Sequence, residues 1–146
     1  MPEWQPFACN CRQRYRIEGD LLFWDAQGDT TLTEMTEHMS RTQEVGLPLG
    51  FVGVIIDLRG STGLSFAARK HAFLRRKEFG DSFQAAIVFI GGSSTLQTIT
   101  HLMMSAMRLA TGLHLPFQYT MSDAKARALC EQERQRWLAD KPRRSP

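Results

Sequence analysis

The run Gly60-Ser61-Thr62-Gly63-Leu64-Ser65 holds three hydroxyls just after an apolar stretch that closes on Asp57-Leu58-Arg59. Hydroxyls that open a helix suit phosphoryl modification. The free backbone N–H groups and the helix dipole favour the anion, and the group adds about two negative charges. Ser61 and Thr62 are the candidate acceptors, and Ser65 completes the candidate regulatory loop. The same residue types also serve in turns and N-caps, where a side-chain oxygen accepts from the backbone.

A second feature follows directly. Arg69, Lys70, His71, Arg75, Arg76 and Lys77 crowd one segment. Arg69, Lys70 and Arg76 are the candidate docking residues for an acidic protein partner or phosphate groups. A plain solvated face is the competing reading. Aromatic residues are not interleaved with the cluster, so single-stranded nucleic acid is not the expected partner. Gly91-Gly92-Ser93-Ser94 lacks both the lysine of phosphate-binding loops and dinucleotide glycine spacing, and reads as a tight turn with a serine cap. Cys9 and Cys11 do not complete a tetrahedral metal site, and Cys130 is distant. His38, His71, His101 and His114 are scattered. No catalytic arrangement is legible, and neither a metal nor a cofactor is expected.

The elements that must position these residues follow from periodicity. Met1 to Arg12 has no period and contains Pro2 and Pro6, so residues 1–12 read as an irregular arm. Tyr15 to Glu18 alternates apolar and polar residues, Gly19-Asp20 turns, and Leu21 to Trp24 continues, which predicts a hairpin. Thr31-Leu32-Thr33-Glu34 is a capping box. Leu32, Met35, Met39 and Val45 then give a helical stripe that Gly46-Leu47-Pro48 ends. Phe51 to Leu58 and Ala85 to Ile90 are nearly continuous in apolar character, as strands buried on both faces are. Arg59 to Gly63 reads as a loop.

Ser65 caps a helix over Phe66 to Phe79, with Phe66, Phe73 and Leu74 left for the core. A third helix spans about Thr95 to Thr111. Its apolar face is Leu96, Ile99, Met103, Ala106, Met107 and Ala110, and Gly112 is its C-cap. Pro116 to Tyr119 is a short strand, and a last helix reaches about Ala139. The order β-β-α-β-α-β-α-β-α predicts an α/β domain with a mostly parallel sheet and an N-terminal antiparallel hairpin. Residues 13–140 form the expected single domain, and 141–146 a basic tail.

With 146 residues, 42% of them hydrophobic, the chain can build one ordinary core. The net charge of +3 is matched by Lys141, Arg143 and Arg144 alone, so the charge does not point to nucleic acid. No stretch is apolar for long enough to span a bilayer, and no secretory signal is legible, so the cytoplasm is the expected compartment.

Two segments and the element order carry a resemblance. Val54-Ile55-Ile56-Asp57-Leu58-Arg59-Gly60 leads into a small-residue loop and a helix, and Ser122-Asp123-Ala124-Lys125-Ala126-Arg127-Ala128 follows the last strand. In these features the chain, over roughly Tyr15 to Leu138, resembles the STAS and SpoIIAA-like domains. The resemblance implies a SpoIIAA-like fold. It implies a non-catalytic regulatory or scaffolding role through protein–protein contact, as in anti-sigma-factor antagonists. Phospho-regulated members carry Asp-Ser-Ser-Gly before the helix, whereas this loop lacks the acidic residue directly before its hydroxyls. The alternative role is a small-molecule or lipid carrier with an apolar pocket under the third helix.

Overall fold

The computed structural model describes residues 3–8 and 12–144, with side chains up to Asp140. Cys9 and Cys11, and the side chains of the basic tail, lie outside the described residues.

The hairpin forms as its alternation predicts. Strand β2 (Arg14–Glu18) pairs antiparallel with β3 (Leu21–Asp25). Part of the segment read as an irregular arm is paired. A two-residue strand β1 (Gln5–Pro6) pairs with β2, and Phe7 is buried against Tyr15 and Trp24. An aromatic ring with two aromatic neighbours gives even this short, proline-containing segment a place in the core.

After β3 a three-residue strand β4 (Gly28–Thr30) leads to helix α1 (Leu32–Leu49). Thr31 and Glu34 form the expected capping box. The helix runs past Gly46, where the sequence suggested an end, and Gly46 lies under the ring of Phe83. Any Cβ there would meet ring carbons at 2.4–2.7 Å, so the glycine is needed for close approach and not for a turn. The helix stops at Gly50, whose φ of +79° is left-handed and whose N–H donates to the Gly46 carbonyl.

Strand β5 (Phe51–Asp57) is followed by β6 (Ser61–Leu64) and helix α2 (Phe66–Phe79). Next come β7 (Gln84–Ile90), α3 (Ser94–Thr111), β8 (Phe117–Thr120) and α4 (Asp123–Arg144). The main sheet has the order β1-β2-β3-β5-β7-β8, parallel from β3 onward. The expected loop at 59–63 is therefore in part a strand: β6 pairs parallel with β4 in a small second sheet. Helix α4 runs beyond Ala139, across Pro142, to Arg144.

Side-chain alternation divides the core in two. Leu22, Trp24, Val54 and Ile56 face α1, α2 and α3. Phe23, Ile55 and Val88 face Ala126, Leu129 and Cys130 of α4. Gly53 lets α4 approach, since a Cβ there would stand 2.7 Å from Leu21 and 3.1 Å from the Cys130 sulfur. Strands covered on both faces need the continuous apolar runs seen in β5 and β7.

Two helix faces differ from the sequence reading. In α2 the inward residues are Ala68, Ala72, Arg76 and Phe79, while Phe66 is 71% exposed and Leu74 is also exposed. In α3 the buried set is Leu96, Thr100, Met104 and Met107, and Ala106 and Ala110 are exposed. The apolar residues of this helix cover an arc wider than the face the core takes, so periodicity alone does not say which part of that arc is buried. The Thr100 hydroxyl can sit inside because it bonds to the Leu96 carbonyl and to the Tyr119 hydroxyl.

Candidate functional site

Three regions hold the residues singled out by chemistry. The first lies beyond the carboxyl end of β5. The Asp57 carboxylate accepts from the backbone N–H of Arg59 at 3.0 Å, from its Nε at 2.9 Å and from its Nη2 at 2.8 Å. Arg59 Nη2 also reaches Asp123 at 3.1 Å, which joins the end of β5 to the start of α4. Burial of Asp57 raises its pKa, but the bonds from Arg59 outweigh it, so the carboxyl titrates below its ordinary value. Gly91, with φ +66°, passes under this arginine, where a Cβ would stand 2.6 Å from Arg59 Cγ.

The hydroxyls of Ser61, Thr62 and Ser65 are already engaged. Ser61 Oγ donates to the Gly28 carbonyl at 3.4 Å, and Thr62 Oγ1 donates to the Asp29 carboxylate at 2.6 Å. Ser65 Oγ accepts from the Ala68 N–H at 3.1 Å, as an N-cap does. Ser61 and Thr62 thus tie β6 to β4. A phosphoryl group on Thr62 would stand against the Asp29 carboxylate. Ser93 likewise caps α3 by accepting from the Leu96 N–H.

The second region is the basic segment on α2. Its three docking candidates do not form one surface. Lys70 is exposed, Arg69 is half-buried beside the Phe66 ring, and Arg76 is 5% exposed. Arg76 therefore points into the molecule, contrary to the docking role read from sequence, because it falls on the same helical stripe as Ala68, Ala72 and Phe79. Arg75 is held by Glu78 and Gln43.

The third region was legible only as an alternative. A cavity of about 70 Å³ lies between the sheet and helices α1, α2 and α3. Val54, Ile56 and Phe89 form its floor, Met35, Met39 and Met104 stand over it, and Leu64 and Arg76 also border it. His38 lines the cavity too. Burial pushes its pKa down to about 3, so its ring is neutral at ordinary pH. Trp24, Gln13 and Thr30 nearby are paired with one another. Trp24 Nε1 donates to Gln13 Oε1 at 2.6 Å, and Gln13 Nε2 donates to Thr30 Oγ1 at 2.9 Å. Among the described residues no cluster of three or more His, Cys, Asp or Glu side chains is arranged to hold a metal. Cys130 is a free, buried thiol whose pKa burial raises to about 12, so it is inert as a nucleophile.

The outer face of α3 completes the picture. Leu102 is 63% exposed and Leu109 88%, and Ala106 lies exposed between them at helical spacing. No described helix is long and apolar enough to cross a membrane.

A six-stranded, mostly parallel sheet with an antiparallel N-terminal hairpin, three helices on one face and one on the other, defines an α/β domain of the SpoIIAA-like fold. Among solved structures the chain is similar to an uncharacterized protein of the DUF3478 family with a SpoIIAA-like fold from Shewanella loihica PV-4. The TM-score is 0.51 at 15% identity, over 86% of this chain and 89% of that one. No family model matches the chain. No curated protein matches it either.

Proposed function

We propose that the domain is a non-catalytic regulatory or scaffolding module that works by contact with a protein partner, and that the outer face of α3 makes this contact. The observation that carries the reading is the exposure of Leu102 and Leu109 on one helix. Large aliphatic side chains at helical spacing, left in water by the domain's own core, are what a partner surface would cover. The fold supports the reading, since SpoIIAA-like domains include anti-sigma-factor antagonists. Regulation at Ser61, Thr62 and Ser65 belongs to the same proposal. Because Thr62 already bonds Asp29, modification there would act by parting β6 from β4. Docking by Arg69 and Lys70 remains part of it, and Arg76 does not. The test is capture of a stoichiometric partner from native extract by the wild-type chain and by a Leu102→Glu/Leu109→Glu variant. Partner lost by the folded variant supports the reading, and partner retained by it removes α3 as the contact.

A second reading, a carrier of small apolar molecules, is favoured by the cavity under α1 to α3. A ligand that copurifies, seen by native mass spectrometry, would support it.

A further inference from the structure

Arg76 is a buried cation with no counter-ion among the described residues. It stands in the last turn of α2, and its Nη2 donates to the Phe83 carbonyl at 3.2 Å. Among the described residues its Nε and Nη1 have no hydrogen-bond partner and no carboxylate pairs with it. The guanidinium lies 5.3 Å from the centre of the Phe83 ring. That contact and one carbonyl are little return for the desolvation of a full charge. Other arginines show the contrast, since Arg75 is paired with Glu78 and Arg59 with Asp57 and Asp123.

The position of this charge matters as much as its burial. Arg76 borders the apolar cavity and also a surface cleft of about 550 Å³, lined by Gly50, Asp81, Ser82, Gln84, His114 and Trp137. The cleft opens where β5 and β7 begin, since Gly50 immediately precedes β5 and Gln84 starts β7. This is the end of the sheet opposite the Ser61 loop. One guanidinium thus stands where an open hollow and an apolar one meet.

We propose that Arg76 is the receptor for the carboxylate of a small apolar acid whose hydrocarbon part lies in the cavity. This assignment rests on the carrier reading and gives it a ligand class. A carboxylate would supply the missing acceptors and the missing negative charge together, in charge-assisted bonds that strengthen away from water. The apolar walls would take the hydrocarbon. Burial lowers the arginine's pKa only to about 10, so it keeps its charge at neutral pH and selects an acid over an alcohol. A void of about 70 Å³ suits a short or branched chain and not a long acyl chain.

The test is calorimetric titration of the full chain with butanoate, 1-butanol and acetate, repeated with Arg76→Met. Butanoate is expected to bind wild type at least tenfold more tightly than butanol or acetate. In Arg76→Met the butanoate affinity should fall at least tenfold, while that of butanol is kept or improved. Equal binding of butanoate and butanol by wild type, or butanoate binding unchanged in Arg76→Met, overturns the role of Arg76 and leaves the carrier reading standing. Acetate binding as tightly as butanoate overturns the apolar part of the site. If no probe binds either protein, the proposal and the carrier reading fall together. Should Arg76→Met not fold, the three-probe comparison on wild type decides by itself.

Discussion

His38 lies nearly flat on Trp24, with ring centroids 4.0 Å apart and planes inclined by 22°. The pair joins α1 to β3 beside the cavity, and the indole is anchored in turn by its bond to Gln13. A histidine so placed is part of the apolar core as long as it stays neutral.

That condition sets an acid limit on stability. The folded pKa of His38 is about 3, against 6.5 for the free group. Between these values the unfolded chain binds the extra proton. Stability is therefore full above pH 6.5 and is lost as pH falls toward 3, by about 1.4 kcal/mol per unit from this group. His38→Phe, which keeps a flat ring against Trp24, should flatten that part of the profile. Urea midpoints of both proteins from pH 7 to pH 4 measure the difference, and parallel profiles would refute the assignment.

Thr62→Glu should open the small β4–β6 sheet. It replaces a hydrogen bond to Asp29 with a like charge in an exposed place. The expected loss is about 1 kcal/mol, the scale of one hydrogen bond. Faster amide exchange confined to Gly28–Thr30 and Ser61–Leu64 would locate the effect. Asp29→Asn in the same chain should restore much of the loss by removing the repulsion.

Gly46→Ala tests two opposed effects. Alanine is favoured over glycine inside a helix by about 1 kcal/mol. The new methyl, however, would fall within 2.7 Å of ring carbons of Phe83, which is buried. Overpacking costs about 1–3 kcal/mol, so the variant is expected to be less stable on balance. Phe83→Leu in combination should recover stability relative to Gly46→Ala alone, as read from thermal melts.

Arg76→Met without any ligand should raise the melting temperature. Methionine has similar reach and fills irregular apolar space, and it removes an unpaired buried charge at the loss of one bond to a carbonyl. Replacing buried ionic groups with apolar ones of similar volume commonly gains about 1–4 kcal/mol. A lower melting temperature would show that the guanidinium is better satisfied than its contacts indicate.

Much of the architecture was legible in the chain. Continuous apolar runs marked β5 and β7, alternation and a Gly-Asp turn marked the hairpin, and Thr31, Ser65 and Gly112 marked helix ends. These are local rules: each depends on backbone bonds or side-chain period within a few residues. The candidate site was less legible. The pairing of β6 with β4 joins segments 33 residues apart, and neither strand has a strong pattern of its own.

What the sequence by itself determined was the order of elements, most of their limits and the class of fold, because burial on both faces of a parallel sheet demands a visible composition. What only the tertiary structure decided was which way each helix turns. Arg76 among alanines, and Leu102 at the edge of a wide apolar arc, have no fixed place until the helix meets the sheet. The volume left between α1, α2 and α3 then sets the outcome. It draws an arginine inward to border the cavity and leaves two leucines in water, because whole helix faces are buried together and single side chains follow the face on which they lie.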